Sequence, residues 1–570
     1  MTRAELTPGS LRKVLIIGGY GTFGGRVARL LADDTRLTLV IAGRTLHKAE
    51  SFIARYQDQA MMIPARFDRD ADVLQQISDL APDIVVDASG PFQDYGDNIY
   101  RVVEAAISAG VHYLDLADAS EFVYGIEEFD SRAREKNLFV LSGASTCPSL
   151  SSAVCRRLAR GMSKVHSIRG GVAPSPYSGV GLSVMRAVAH SAGKPVSIIR
   201  NDVVATAYPF TDAHRFTIAP PGYLPLYQRT FALVDLPDLR LLKRVVPQTE
   251  NTWLGAAPVP AIYHATLRVL ARLVKIGLLN SISSLAPLMA FVMNRLAWGE
   301  HRGGMFVEIR GEDNACNPVC RSWHLVAEGA DGPSIPSMAS AGIIRNYLNG
   351  HMPVPGARPA FEDHELQDFE YFFAQMNIHT GERNSPARRD GPVFQRALDS
   401  AWHELPEEIR QLHKLEETLE FNGRASVTRG NSLIAKLINH VVGFPPAGCD
   451  TPLRVSMKNK NGREYWTRDF DGQKFSSVMS SGKGRFTHLV REKFGPVSFA
   501  MALLLENGRL DYVHRGWTFL GIPMPRFLGP RGKTYEYVED GKFHFHVDIN
   551  LPIAGHVVTY DGWLQPANAS

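Results

Sequence analysis

The run Gly18-Gly19-Tyr20-Gly21-Thr22-Phe23-Gly24-Gly25 follows directly on the aliphatic segment Val14-Leu-Ile-Ile17. It precedes an amphipathic stretch through Val27, Leu30 and Leu31. Strand, glycine turn and helix in that order make the local unit that receives a diphosphate. Gly19, Gly21 and Gly24 fit GxGxxG. The first is expected to permit the tight turn, the second to let the main chain approach a pyrophosphate, and the third to let helix and strand pack closely. Tyr20, Thr22 and Phe23 stand between them, where the helix N-terminus faces the phosphates. A glycine-rich turn alone is equally well a plain β-turn, so the next strand decides. Leu37-Thr-Leu-Val-Ile41 arrives at the right interval and ends in Ala42-Gly43-Arg44-Thr45. Asp or Glu there would accept from a ribose 2′-hydroxyl, whereas Arg44, followed by Thr45, offers a planar cation suited to a 2′-phosphate. The expected cofactor is therefore NADP(H) rather than NAD, the plain alternative being an exposed arginine on a loop.

A third strand, Met62 to Phe67, ends at Asp68, and a fourth, Asp83 to Asp87, runs into Ala88-Ser89-Gly90-Pro91-Phe92. Ligands collect outside the carboxyl ends of such strands. Ser89, Gly90, Pro91 and Phe92 should border the nicotinamide half, and Asp68 the adenine, although capping the next helix explains Asp68 equally well. Hydride transfer needs a dry crevice with a proton donor at hand. Asp115, His112 and Tyr95 are the catalytic candidates, with Tyr113 on the strand of His112 and Cys147, like Tyr95, in a loop that could reach the same crevice. Each has an ordinary reading as well, as a strand residue or a turn cap.

Val85-Val-Asp-Ala-Ser-Gly-Pro-Phe92, Tyr95-Gly96, and then Ala109-Gly-Val-His-Tyr-Leu-Asp-Leu116 together resemble saccharopine dehydrogenase-like proteins, which carry a Gly-Pro-Phe segment followed by a His-Tyr-x-Asp strand. Gly143 to Leu150 resembles the family's exit into its second domain, and Gly356-Ala-Arg-Pro359 its return toward the nucleotide domain. The resemblance covers roughly residues 12 to 375. It implies an oxidoreductase whose α/β class combines an N-terminal Rossmann parallel sheet over 12–145 with an α+β substrate and dimerisation domain over 146–380. A homodimer is thus among the expectations. True saccharopine chemistry would call for convergent arginines, and Arg169, Arg186, Arg302 and Arg321 form no such pattern. The substrate is expected only to be small or lipid-like.

The stretch Ile262 to Gly277 sets Ile262, Thr266, Val269, Leu270, Leu273 and Val274 against Arg268, Arg272 and Lys275. A core-facing helix with a solvated basic face is the first expectation. A peripheral membrane contact through 262–277 is the second, and it would favour a lipid-like substrate. Past a polar linker over 381–391, residues 392–567 are expected to form a mainly antiparallel β domain with a few helices. Asn461-Gly462, Asn507-Gly508 and Asp540-Gly541 are its hairpin turns, and a helix near Ser432 to Val441 its cover. His544, His546 and Asp548 project alike from one strand, but a solvated strand face yields the same pattern, so no metal is expected. This region resembles an uncharacterised domain that accompanies some bacterial members of the family.

Composition excludes several classes. With 45% apolar and 21% charged residues and a net charge of +4 over 570 residues, the chain reads as a globular protein without a nucleic-acid partner. Five scattered cysteines, and an N-terminus without a long apolar run before Val14, point to the cytoplasm. The leading expectation is an NADP(H)-dependent oxidoreductase. The alternative is a non-catalytic protein that senses NADP(H) or binds lipid.

Overall fold

The computed structural model of the chain describes residues 11–567 apart from 57–59, 94, 97, 180, 296–297 and 387–390. Most of the leader reading at the N-terminus, and residues 387–390 of the expected linker, lie outside the described residues. The chain divides into two compact units, one of Met1–Arg215, Thr230–Ser322 and Ala327–Ile378, the other of Phe216–Arg229, Trp323–Val326 and His379–Ser570.

The first unit opens with six strands: β1 (Arg12–Ile17), β2 (Leu37–Gly43), β3 (Met61–Arg66), β4 (Ile84–Asp87), β5 (His112–Asp115) and β6 (Phe139–Ser142). Interleaved helices are α1 (Gly24–Leu31), α2 (Leu46–Ile53), α3 (Val73–Leu80) and α4 (Arg101–Ala109). The sheet runs β6-β5-β4-β1-β2-β3, and the later strand Gly356–Pro359 adds beside β6. Every pairing in it is parallel. Parallel strands covered on both faces read as unbroken apolar runs, which is why β2 is buried at all seven positions and Val14, Leu15 and Ile16 of β1 are wholly enclosed. Strand order reverses between β1 and β4, and this switch opens a crevice at the carboxyl ends. α1 buries Val27, Leu30 and Leu31 and is held to the helix Ile335–Leu348 through Ser337 Oγ, which donates to the Phe23 carbonyl at 3.0 Å.

Beyond residue 150 the strands Thr252–Ala256, Met162–Ala173 and Arg302–Asp313 form the centre of a mixed sheet, the first pair parallel and the second antiparallel. Helices Leu182–Ser191, Ala261–Lys275 and Ala286–Arg295 gather around a separate apolar cluster. The buried face of Ala261–Lys275 is His264, Leu267 and Ala271. Ile262 and Val269, expected on its apolar side, are exposed instead, so the division drawn from the sequence between an inward apolar stripe and an outward basic one is corrected. No helix among the described residues is long and apolar enough to cross a membrane.

The expected linker begins as a strand, Ile378–Pro386, the last of the mixed sheet. From Thr418 to Pro566 ten antiparallel strands close on themselves, with the short Ile522–Pro523 as an eleventh at one edge. Closure comes from Thr418–Arg429 pairing with Gly555–Pro566 and from Val497–Glu506 pairing with Arg509–Phe519, which abolishes the free edges. Asn461-Gly462, Asn507-Gly508 and Asp540-Gly541 all take positive φ, as two-residue hairpins require. Asp471-Gly472 does the same, a fourth turn that carried the same sequence signal. Phe543 and Phe545 point into the barrel core with Trp466, Phe470 and Phe475. Helix Leu433–Val442 begins at Ser432, whose hydroxyl accepts from the Ala435 N–H at 3.1 Å.

Candidate functional site

The glycine turn takes its shape one residue earlier than the motif suggests. Gly18, at φ +75°, is the position that needs left-handed backbone, and Gly19 does not adopt it; the assignment of the tight turn to Gly19 is corrected accordingly. Gly24 carries the close approach, since a Cβ there would stand 2.4 Å from the Gly18 carbonyl oxygen. Apart from that same carbonyl, a Cβ on Gly21 meets nothing nearer than 4.0 Å, so its main chain borders open space. α1 starts without a side-chain cap and with no acidic residue in its first turn. The Gly25 and Arg26 N–H groups donate to the Gly21 and Phe23 carbonyls at 3.1 and 2.9 Å, and the positive dipole end of the helix is left there for an anion. Among the linking residues, the Thr22 carbonyl accepts from the Arg26 guanidinium, and the Tyr20 hydroxyl accepts from the Thr45 N–H at 3.2 Å. Tyr20 thereby ties the turn to the end of β2. Arg44, next to Thr45, is exposed. Asp68 does not cap α3: that role falls to Asp72, whose carboxylate accepts from the Gln75 N–H at 3.0 Å. Asp68 instead accepts from the Asp70 N–H at 3.1 Å within its own loop.

At the end of β4 the loop over Ser89, Gly90, Pro91 and Phe92 is organised by a residue the sequence did not single out. Asp87 is fully buried. Its Oδ1 accepts from the Ser89 N–H at 3.0 Å and the Ser89 hydroxyl at 2.6 Å, and its Oδ2 accepts from the Tyr95 hydroxyl at 2.6 Å. The Tyr95 ring lies against Phe92 and carries the Arg69 guanidinium 3.4 Å above its centroid. Arg69 Nη1 is buried and has no hydrogen-bond partner among the described residues. Burial, followed by the Asp87 carboxylate, pushes the Tyr95 phenol well above its usual range, so it is a donor rather than a base.

The other two catalytic candidates separate. Asp115 ends β5 at the crevice side, but it is enclosed, and its Oδ1 accepts from the Ala117 N–H, the Gly143 N–H and the Ser142 hydroxyl at 2.9, 2.7 and 3.0 Å. That binds the ends of β5 and β6 together. Burial pushes its carboxyl up to about 7 against those three opposing hydrogen bonds. His112 starts the same strand at its amino end. There it stacks on Phe139 with ring centroids 4.0 Å apart and accepts from the Phe139 N–H at 3.2 Å. Burial lowers its pKa to about 4. The structure thus brings Tyr95 to the loop at the crevice, uses Asp115 as a brace, and leaves His112 at the opposite end of the sheet.

Polar groups that sequence reasoning missed gather past the end of β5. Gln93 donates to Asp118 at 3.0 Å, and its buried Oε1 has no partner among the described residues. Ser120 donates to Asp235 at 2.6 Å. Burial raises the Asp235 carboxyl, the Ser120 hydrogen bond opposes it, and the Asp118 carboxylate adds to the rise. Cys147 is buried and its thiol is pushed up chiefly by burial, so it is no nucleophile at neutral pH. Only its distance in sequence concealed Asp235. In the second unit, His546 and His544 lie against Tyr535 and Tyr537, and Asp548 accepts from Asn550 and Thr559. Among the described residues no three His, Cys, Asp or Glu side chains gather as a metal-binding group.

A parallel sheet ordered about a switch between β1 and β4, with an uncapped helix start at its carboxyl edge, defines an NAD(P)-binding, dehydrogenase-like fold. Residues 14–141 match the saccharopine dehydrogenase NADP binding domain, and residues 405–564 match a domain of unknown function, DUF4166. The chain thus carries a domain similar to the NADP binding domain of saccharopine dehydrogenases and, separately, an uncharacterised C-terminal domain. Similar solved structures include apo saccharopine dehydrogenase (L-Glu forming) from Saccharomyces cerevisiae, at 14% identity and TM-score 0.47, covering 66% of this chain and 100% of that one. A 3-ketoreductase from Actinomadura kijaniata, solved with NADP, is similar at 14% identity and TM-score 0.29, covering 62% and 94%. A probable dehydrogenase from Thermotoga maritima is similar at 9% identity and TM-score 0.32, covering 65% and 98%. No curated protein matches the chain.

Proposed function

We propose that the chain is an NADP(H)-dependent oxidoreductase acting on a small or lipid-like substrate. The observation that carries this reading is Arg44: an exposed guanidinium closing β2, beside Thr45, which Tyr20 of the glycine turn holds in place. The residues present fit the group. The main chain of the turn over Gly19 to Gly24 and the positive end of α1 would hold the diphosphate, the Arg44 guanidinium and the Thr45 side chain the 2′-phosphate, and Ser89 to Phe92 the nicotinamide half. Bound there, the nicotinamide supplies or accepts a hydride. Asp87 fixes the Ser89 loop through three hydrogen bonds. Gln93 Oε1 and Arg69 Nη1 are buried polar atoms with partners still to find among the described residues. Asp235, its carboxyl held above the usual range by burial, is the group assigned to proton transfer.

A second reading, a non-catalytic NADP(H) sensor, draws on the structural engagement of Asp115, His112 and Tyr95. Calorimetric titration with NADPH tests what both readings share. Binding is expected for the natural chain and is expected to vanish in Gly21→Val, whose side chain would occupy the open space beside the turn. Absence of heat with NADPH refutes both. Consumption of NADPH by a cell extract only when the protein is added separates enzyme from sensor.

A further inference from the structure

The stretch Ala261–Lys275 buries only one narrow face, His264, Leu267 and Ala271. Its outward face carries Ile262, Val269 and, one residue past the helix, Ile276, a heptad-like spacing that keeps them on one side. Ile276 and Leu278 are 65% and 69% exposed. Helix Ala286–Arg295, which buries its other face in the same cluster, exposes Leu288 and Phe291, and Trp298 beyond it is 80% exposed. Singly exposed apolar residues are ordinary, but a concentration of this kind marks an interaction surface. Charge identifies the partner. From Asn251 to Gly299 the chain contains no aspartate or glutamate, while Arg268, Arg272, Lys275 and Arg295 lie within it. Arg272 and Arg295 are exposed among the apolar side chains.

We infer that residues 261–295, with Trp298, form a peripheral docking surface for an anionic phospholipid bilayer. An apolar face that carries cations and no acids suits the boundary between acyl chains and acidic headgroups. Ile276, Leu278, Phe291 and Trp298 enter that boundary, and Arg272 and Arg295 meet the headgroups. Each cation near such a surface contributes roughly a fivefold factor to partitioning. Both helices fall short of a span, so the association is peripheral and reversible.

Flotation of the full-length protein with vesicles tests this. Vesicles of phosphatidylcholine containing about one-third phosphatidylglycerol are expected to carry the protein at least about tenfold better than phosphatidylcholine alone, with binding falling as salt rises. The double substitution Ile276→Glu with Leu278→Glu, at positions already in water, is expected to lower binding by at least about tenfold. Leu433→Glu, at an exposed apolar position of the second unit, serves as the control and is expected to float like the natural chain. The inference is overturned if neither vesicle is bound, if the double variant binds unchanged, or if Leu433→Glu alone abolishes binding. It is also overturned if light scattering shows a self-associated species that the double substitution dissociates while vesicle binding persists. In that case the surface joins two copies of the chain.

Discussion

Replacing Arg44 by alanine is expected to weaken NADPH binding while leaving NADH binding within about twofold. Arg44 is exposed and no ion pair or hydrogen bond engages its guanidinium among the described residues, so its loss leaves no buried partner stranded and no fold-wide penalty. What disappears is a charge-assisted, forked contact to a phosphate, worth about 1.5–3 kcal/mol for charged hydrogen bonds. Solvent screening at an exposed site favours the lower half of that range, which corresponds to about tenfold to fortyfold in Kd. Arg44→Asp adds repulsion, with each pair of unit charges about 4 Å apart contributing about 1 kcal/mol in high dielectric. Its loss should therefore exceed about a hundredfold at low salt and shrink as salt rises. Thr45 stays tethered to Tyr20 in both variants, so the diphosphate grip is untouched. Titration calorimetry with NADPH and NADH at two salt concentrations reads all four quantities. Equal losses for both nucleotides would place Arg44 at the diphosphate, and an unchanged NADPH affinity would remove it from the site; either refutes the argument.

Asp115→Asn keeps an oxygen to accept from Ala117, Gly143 and Ser142 but cannot ionise. In the unfolded chain the carboxyl titrates near its usual 3.8, whereas burial delays it to about 7 in the fold. Its contribution to stability is thus fully present below about pH 4 and lost as pH rises through about 7. The natural chain should lose thermal stability between pH 5 and about 8 by more than the variant does. Equal losses would place the effect elsewhere, for example at Asp238, whose carboxyl burial also pushes up to about 7. Tyr95→Phe removes the only hydrogen bond to Asp87 Oδ2 among the described residues and is expected to destabilise the first unit by about 1–3 kcal/mol, read by denaturant melts; a change of a few tenths would mean that water replaces the phenol. In the barrel, Arg468 donates to Glu492 at 3.2 Å with both side chains mostly enclosed, at 12% and 13% exposure. Arg468→Leu alone should destabilise by about 3–5 kcal/mol, and the double change with Glu492→Leu by clearly less; additive losses in the same melts would show that the two charges act independently.

The parts of this fold legible in the sequence are those set by local rules. β1, the glycine turn, α1 and β2 follow one another within some thirty residues, and the paired residues Asn461-Gly462, Asn507-Gly508 and Asp540-Gly541 fix their hairpins by backbone sterics alone. Where the reading fell short, the determining contact was distant or depended on depth. Asp235 meets Ser120 across 115 positions, and the barrel closes by joining its first strand to its last. His112 and Asp115 share one four-residue strand, yet one lies at the amino end among aromatic rings and the other at the carboxyl end beneath the crevice. A motif names both residues without saying which end of the strand faces the ligand.

The same contrast explains why the site reads more clearly as a binding site than as a catalytic one. A diphosphate is recognised by main-chain N–H groups and a dipole, which any sequence forming the turn supplies, so a few glycines suffice to announce it. Proton transfer is recognised by the displacement of a carboxyl from its usual range, which arises only when the fold withdraws water from it. Four carboxyls near this site are raised by burial: Asp115, Asp118, Asp235 and Asp238. Asp115 and Asp238 are sealed, the first spent on bracing β5 to β6 and the second accepting from the Ser151 hydroxyl. Asp235 retains some exposure and is held by a single serine hydroxyl. A proton must enter and leave its carrier, and of the four Asp118 and Asp235 combine a raised carboxyl with a route to the outside, Asp118 held by Gln93 and Asp235 by Ser120.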